Sequence, residues 1–239
     1  MRLIKYLANL GYGSRRDVTA LFAAKRVRDT DGRVLRPDDS CAHESLTVDG
    51  EPLDPPPGVV VCLHKPLGYV CSTTDVANPV VYALLPERFR ARSPIVAPVG
   101  RLDRDTSGLL LLTDDGQLNH RLTSPRSHVT KTYIATVADP FRGDEIAQFG
   151  AGTLTLASDP TPLAPARMEP IDAHRAQLEL DEGRYHQIRR MFAAVGHHVT
   201  QLERVAIGAL HLGDLPVGQW RVLTPDERTL LTASPPAAP

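Results

Sequence analysis

Hydrophobic positions near the start of the chain recur with a helical period. Leu3, Tyr6, Leu7 and Leu10 fall at i, i+3, i+4 and i+7, which predicts a short helix over residues 2–10 that Gly11 and Gly13 end. Ser14 is a natural N-cap for a second helix carrying Val18, Leu21 and Phe22, with Asp17 placed to complete a variant of the capping box. Asp31-Gly32 marks a turn before strand-like pieces around Val34 and at Leu46–Val48. The Pro-rich run 51–58 (EPLDPPPG) fits neither a helix nor a central strand and predicts a linker. Beyond it, Val59–Leu63 and Leu109–Thr113 are continuous apolar runs that read as buried strands. The loop His64–Thr74, a short helix over Val80–Leu85, and the stretch Ser93–Val99 lie between them. A helix over Gln117–Leu122 follows the turn Asp114-Asp115-Gly116. Thr132–Val137 alternates as a strand with Tyr133, Ala135 and Val137 on one face. Residues 138–170 show no period. Ala176–Leu180, Val199–Ile207 and Gln219–Leu223 read as strands. Tyr185–Val195 reads as a helix with Ile188, Met191, Phe192 and Val195 inward and Gly196 as its stop. The tail 234–239 is expected to be disordered.

Composition changes this picture little, and charge changes it more. In 239 residues, 42% are hydrophobic and 23% charged, enough for one large and one small domain with a real core. The net charge of −1 hides an asymmetry: residues 1–36 carry nine Lys/Arg against three Asp/Glu, while residues 37–54 carry six acids and no base. That places a basic surface at the N-terminus, as nucleic acid binding requires and as a solvated helix face also allows. Cys41, Cys62 and Cys71 are odd in number and lack metal-site spacing, so they read as reduced thiols of a cytoplasmic protein. No apolar run is long enough for a membrane span.

The segment 101–116 (RLDRDTSGLLLLTDDG) carries the sharpest candidate chemistry. It sets Asp103 in a polar turn that feeds directly into an apolar strand. A carboxylate at such a wall must be paired to stay charged. Asp103, Asp105, Ser107 and Gly108 imitate a calcium loop, but the twelfth position is Asp114 rather than Glu and no amphipathic helix precedes it. A two-carboxylate glycosidase on Asp103 and Asp105 is conceivable, and so is a turn merely stabilised by Arg101 and Asp103. Two other segments bear on the choice. Lys131-Thr132-Tyr133 puts a hydroxylated ring beside a cation on a strand, either as core or as a platform for an extruded base. In 182–191 (EGRYHQIRRM), Arg189 and Arg190 suit a polar helix face, whereas Arg184 follows Gly183 at a strand–helix junction, where a guanidinium can cross a cleft to a carboxylate.

Taken together these motifs resemble two known modules. RLIKYLA, GYGSRR and KRV, beginning at residues 2, 11 and 25, resemble the S4 RNA-binding domain, with Ile4 where that motif usually has Asp. GRLDRDTSGL from Gly100, Lys131-Thr132-Tyr133 and the 182–191 run are similar to the catalytic motifs of the S4-bearing pseudouridine synthases that modify ribosomal RNA, with His64 where the family commonly has Asn. The likeness spans residue 2 to about residue 224. It implies an α+β protein with an S4-like αα-plus-hairpin domain at 1–57. A catalytic domain at 58–233 would follow, a mixed, largely antiparallel sheet with flanking helices around a central RNA cleft. It implies Asp103 as the essential carboxylate, Tyr133 as the ring that stacks on flipped uracil and assists removal of the C5 proton, and Arg184 as the cation paired with Asp103. Arg101 would fill the gap in the RNA or meet a phosphate. Lys131, Arg189 and Arg190, with Arg2, Lys5, Arg15, Arg16, Lys25 and Arg26 of the N-terminal module, would contact RNA. The expected substrate is 16S rRNA, free or in a partly assembled small subunit, at the branch's uridine 516. A 23S rRNA enzyme and a non-catalytic S4-type assembly factor are the alternatives. No cofactor or metal is expected, because the isomerisation needs no outside bond energy and the chain has no Gly-rich phosphate loop. A monomer is the default.

Overall fold

The computed structural model describes residues 2–124, 127–157, 159–231 and 233, so the expected disorder of 234–239 lies outside the described residues. Helices α1 (Leu3–Asn9) and α2 (Arg15–Ala23) form where the apolar spacing places them. Ser14 caps α2 reciprocally: its hydroxyl accepts from the Asp17 amide at 3.2 Å and the Asp17 carboxylate accepts from the Ser14 amide at 2.8 Å. Strands β1 (Val27–Asp29), β2 (Leu46–Val48) and β3 (Glu51–Pro52) make a three-stranded antiparallel sheet. Leu3, Leu7, Val18, Phe22, Val27 and Leu46 fill the space between helices and sheet. Two expectations are corrected here. Val34 makes only an isolated bridge to Arg28. The linker's first two residues, Glu51 and Pro52, extend the sheet, since a proline without an amide hydrogen is tolerated on an edge strand.

The second sheet is larger. It contains β4 (Val60–Lys65), β5 (Ala97–Pro98), β6 (Ser107–Thr113), β7 (Lys131–Val137), β8 (Arg167–Pro170), β9 (Arg175–Leu180), β10 (Val199–Ile207), β11 (Leu210–His211) and β12 (Trp220–Val222). The main path runs β12-β4-β6-β10-β7-β9-β8, and its ladders are antiparallel except β6 with β10. Helices α3 (Glu87–Ala91), α4 (Gly116–Thr123), α5 (Glu145–Gly150), α6 (Gln187–Ala194) and α7 (Pro225–Leu230) flank it. The architecture is thus mixed α+β with a largely antiparallel sheet, as expected.

Two cores share one face of this sheet. Val59, Val61, Leu63, Leu110 and Leu112 pack under Val81, Tyr82 and Phe89. Ala135, Val137, Ala176 and Leu178 pack under Ile188, Met191 and Phe192 of α6. Tyr133 touches both and marks the seam. Val60, Cys62, Leu109 and Leu111 face the other way, against Leu118 and Leu122 of α4.

Three local departures have physical causes. The expected helix over Val80–Leu85 is a 3-10 turn, Val81–Leu84, and Pro86 then starts the separate α3. Helix α6 begins at Gln187, because His186 is left-handed (φ 49°, ψ 36°) and breaks the helix predicted from Tyr185. The patternless 138–170 contains α5 and β8, too short to show a period. Its anchor is the sealed pair Glu145 and His197, whose Oε1 and Nε2 lie 2.6 Å apart.

The two sheets meet at α3. Arg88 lies over the Tyr12 ring, 5.0 Å from its centroid, and pairs with Asp54. Arg92, almost wholly buried, pairs with Asp114 at 3.2 Å and donates to the Pro55 carbonyl. A Cβ on Gly11 would come within 2.5 Å of the Arg88 carbonyl oxygen, so only glycine permits this approach.

Candidate active site

Asp103 stands in the loop between β5 and β6, and a buried lysine holds that loop. Lys65, the last residue of β4, is 0% exposed. Its Nζ donates to the carbonyls of Asp103 at 3.0 Å, Thr106 at 2.8 Å and Pro66 at 3.1 Å. Burial holds this ammonium below the usual lysine range, against the opposing pull of Cys71, Asp103 and Asp105. The Thr106 amide closes the turn on the Asp103 carbonyl at 3.1 Å, and the Gly68 amide donates to the Arg104 carbonyl at 2.8 Å. Arg189 fixes the next residue from α6: Nη2 donates to the Asp105 carbonyl at 2.7 Å and Nε lies 3.1 Å from the Asp105 carboxylate. Backbone fastened from two directions is the preorganisation that a reacting carboxylate needs.

The expected ion pair between Arg184 and Asp103 is not formed. The Arg184 guanidinium donates instead to Asp159 at 2.8 Å, Glu182 at 3.2 Å and the carbonyls of Thr161 and Pro162. Its pKa is raised, chiefly by the Asp159 hydrogen bond. The group beside Asp103 is His186, whose Nε2 lies 3.3 Å from Oδ1. The left-handed backbone at His186 makes this possible by turning its ring out of the helical course and toward the β5–β6 loop. Tyr185, largely exposed, stacks on that ring with centroids 4.0 Å apart and planes 18° apart.

A cavity of about 340 Å³ gathers Arg101, Asp103, Tyr133, Arg184 and His186, with Leu180 and Leu202 among its walls. Tyr133 enters from β7, where it pairs with Arg204 of β10 and Leu178 of β9. So the three residues nominated as catalytic line one cavity, though Arg184 does so while holding the 159–162 loop. Arg101 is exposed at the rim, and half-buried Lys131 lines a neighbouring chamber. Arg189 is committed to Asp105 and to the Val199 carbonyl rather than to an open helix face. Arg190 donates to the Tyr185 carbonyl at 3.2 Å.

Lys65 and His186 are the residues that sequence reasoning missed. A lysine continuing an apolar strand with no turn residue between is the available signal for Lys65, since a lysine in that place must bury its charge on acceptors. His186 lies within the 182–191 run, but its left-handed backbone leaves no mark on periodicity. The N-terminal candidates Arg2, Lys5, Arg15, Arg16, Lys25 and Arg26 are all exposed and none lines the cavity. Arg26 forks onto Asp49 with both contacts at 2.6 Å, and Arg2 lies 3.9 Å from Asp38.

A family model described as RNA pseudouridylate synthase matches residues 59–194. Ribosomal small subunit pseudouridine synthase A of Yersinia pestis is 42% identical over 231 residues, covering 95% of this chain and 96% of the relative. The protein of the same name from Escherichia coli K12 is 41% identical over 239 residues, covering 95% and 98%. An RNA pseudouridine synthase of Bacillus subtilis is 38% identical over 240 residues, covering 97% and 98%. A crystal structure of a pseudouridylate synthase superposes with a TM-score of 0.69 at 36% identity, covering 97% of this chain and 99% of the other.

Proposed function

We propose that this chain, which belongs to the RNA pseudouridylate synthase family and is therefore an isomerase acting on uridine in RNA, modifies the small-subunit ribosomal RNA at uridine 516. The observation that carries the reading is the single cavity joining Asp103, Tyr133 and Arg184, in a chain 42% identical over nearly its whole length to a small-subunit synthase.

The reaction breaks the bond from ribose C1′ to uracil N1, turns the base and joins C5 to C1′, with the C5 proton lost to solvent and one proton taken up at N1. Nothing is gained or lost overall. Asp103 is the group that opens the glycosidic bond, by attack on C1′ or by removing the C2′ proton; both routes use its ionised form. His186 and the lysine-held loop keep the carboxylate aimed into the cavity. The Tyr133 ring stacks on the extruded base and its hydroxyl stands ready for the C5 proton. Arg184 acts as a positioning residue that ties the 159–162 loop to the cavity wall. Flipping the base costs a few kcal/mol. Phosphate contacts from Arg101, Lys131 and Arg190 offset that cost, together with those of Arg2, Lys5, Arg15, Arg16, Lys25 and Arg26 on the N-terminal unit, residues 1–57 read as an S4-like RNA-binding domain. The 58–233 unit carries the chemistry, in a cytoplasmic monomer acting on free 16S rRNA or a partly assembled particle.

Carbodiimide mapping of pseudouridine in rRNA from cells with and without the gene tests this directly. One stop at 16S position 516 that vanishes with the gene is the expected result. A missing stop in 23S RNA would reassign the subunit, and unchanged rRNA in both subunits would refute the ribosomal substrate.

A further inference from the structure

Next to the catalytic cavity lies a second chamber of about 170 Å³, and the two share Arg101, Tyr133, Glu182 and Gly183 in their walls. Two further cations enter this chamber from adjacent strands: Lys131 of β7 and Arg204 of β10. Tyr133 and Arg204 are direct partners in the β7–β10 ladder, and Lys131 is two residues from Tyr133, so all three project from the same face of the sheet.

Arg204 is the unusual member. It is 3% exposed, and its Nε donates to the Leu109 carbonyl at 2.8 Å. Its Nη2 is buried and has no hydrogen-bond partner among the described residues. A guanidinium nitrogen taken from water and left unmatched costs several kcal/mol. Lys131 adds to the imbalance. Burial lowers its pKa first and the neighbouring Arg204 lowers it further, with only Asp181 opposing. The two carboxylates at the chamber are already engaged: Asp181 accepts from the Thr130 hydroxyl at 2.7 Å, and Glu182 accepts from Arg184 and Gln187. Two like charges forced together, one with an unused donor, describe a site waiting for an anion.

We propose that the chamber between Lys131 and Arg204 binds one backbone phosphate of the RNA strand, adjacent to the uridine held against Asp103 and Tyr133. The shared wall places the anion one nucleotide step from the extruded base, so the contact registers the strand while the ring of Tyr133 receives the base. The inference rests on the RNA pseudouridine synthase reading of the cavity and assigns Arg204 a positioning role on the substrate backbone.

The test is a phosphate walk. Synthetic RNAs containing the mapped uridine, each with one neutral methylphosphonate in place of a flanking phosphate, are bound to the full-length protein and assayed for pseudouridine. For the wild type, one neutral linkage should weaken binding by about tenfold, the loss of a charge-assisted contact. With Lys131→Gln that same linkage should cost nothing more, and Lys131→Arg should restore the penalty. Arg204→Lys should keep the charge but lose the fork, giving a partial penalty at the same linkage. If every linkage penalises wild type and Lys131→Gln equally, the phosphate site is refuted. Competition by inorganic phosphate combined with a flat walk would mean a free-anion site and equally overturn the proposal. Pseudouridine formed by the wild type on unmodified RNA separates these outcomes from failure of the catalytic reading itself.

Discussion

The N-terminal sheet and the cleft of the large sheet use the same residue types in opposite ways. In the N-terminal unit the cations stand in water: Arg2 and Asp38 are 87% and 86% exposed, and even the forked Arg26–Asp49 pair is about half exposed. In the cleft Lys65 and Arg204 are enclosed and bonded to backbone: Lys65 holds three carbonyls and Arg204 holds one. Exposed charges attract a polyanion from any direction, are screened over about 8 Å at physiological salt and tolerate exchange. Enclosed charges set atomic positions and tolerate almost none. On the proposed function the two regions divide the work accordingly, one supplying affinity and the other geometry.

Substitutions across this divide should have graded effects. Asp103→Asn removes the reacting carboxylate and leaves the Lys65 contacts to backbone untouched, so it should fold and bind RNA normally yet form no pseudouridine; measurable turnover would show that another group does the chemistry. Lys65→Met should come next. It takes the lysine donor from the carbonyls of Asp103, Thr106 and Pro66, leaving Asp103 only its Thr106 amide, and should cost about 2–4 kcal/mol in urea unfolding. Activity should fall by about 100-fold in the folded fraction as the loop loosens. A stable, fully active variant would mean the loop is held otherwise. Arg184→Ala should lower kcat by about 10- to 100-fold while RNA affinity stays within about twofold. A pure affinity loss would place Arg184 among the RNA contacts and not among the positioning groups.

Acid should expose the contrast between enclosed and open carboxylates without removing an RNA contact. Burial raises the pKa of Glu145, but the amides of Arg142, Glu145 and Gly143 and the His197 ring outweigh it and hold the carboxyl at about 2, against an ordinary 4.5. A depressed carboxylate stabilises the fold fully above its unfolded value. That contribution is therefore complete above about pH 4.5 and lost as the pH falls toward about 2. Unfolding free energies measured across that window should fall less steeply for Glu145→Gln than for the wild type; parallel curves would discount the pair. The smallest effect belongs to the exposed side. Lys5→Gln, Arg15→Gln and Arg16→Gln combined should leave kcat unchanged, weaken rRNA binding about 3- to 10-fold and flatten its log–log salt slope by about two. An unchanged slope would make these residues a solvated face.

How much of this is legible in the sequence follows the same division. Asp103 can be read because turn and apolar run are contiguous, and Tyr133 because a period of two assigns its face. The capping box at Ser14 and Asp17 is equally local. The partner of Arg184 cannot be read, because Asp159, Thr161 and Pro162 come from the stretch with no period, and a guanidinium's choice among carboxylates is set by tertiary packing. His186 beside Asp103 depends on one left-handed residue, which spacing does not reveal. Arg204 reads as an ordinary polar position on an alternating strand; only the close approach of β6 and β10 shows that it is sealed.

That close approach also sets an order of events. A Cβ on Gly108 would lie 2.2 Å from the Arg204 carbonyl oxygen, and the parallel register of β6 with β10 runs only through Glu203–Ser107 and Arg204–Gly108. The β4–β6 hairpin-like half and the β7–β9 half can each form from nearer pairings, whereas this seam closes a loop of nearly a hundred residues. Contacts of such long sequence separation carry a large closure entropy and form late. The cavity of Asp103 and Tyr133, with Leu202 of β10 in its wall, lies over the seam, so both halves must already be built when it closes. A chain still leaving the ribosome has no active site until β10 has emerged, and modification of RNA cannot begin on a partial product.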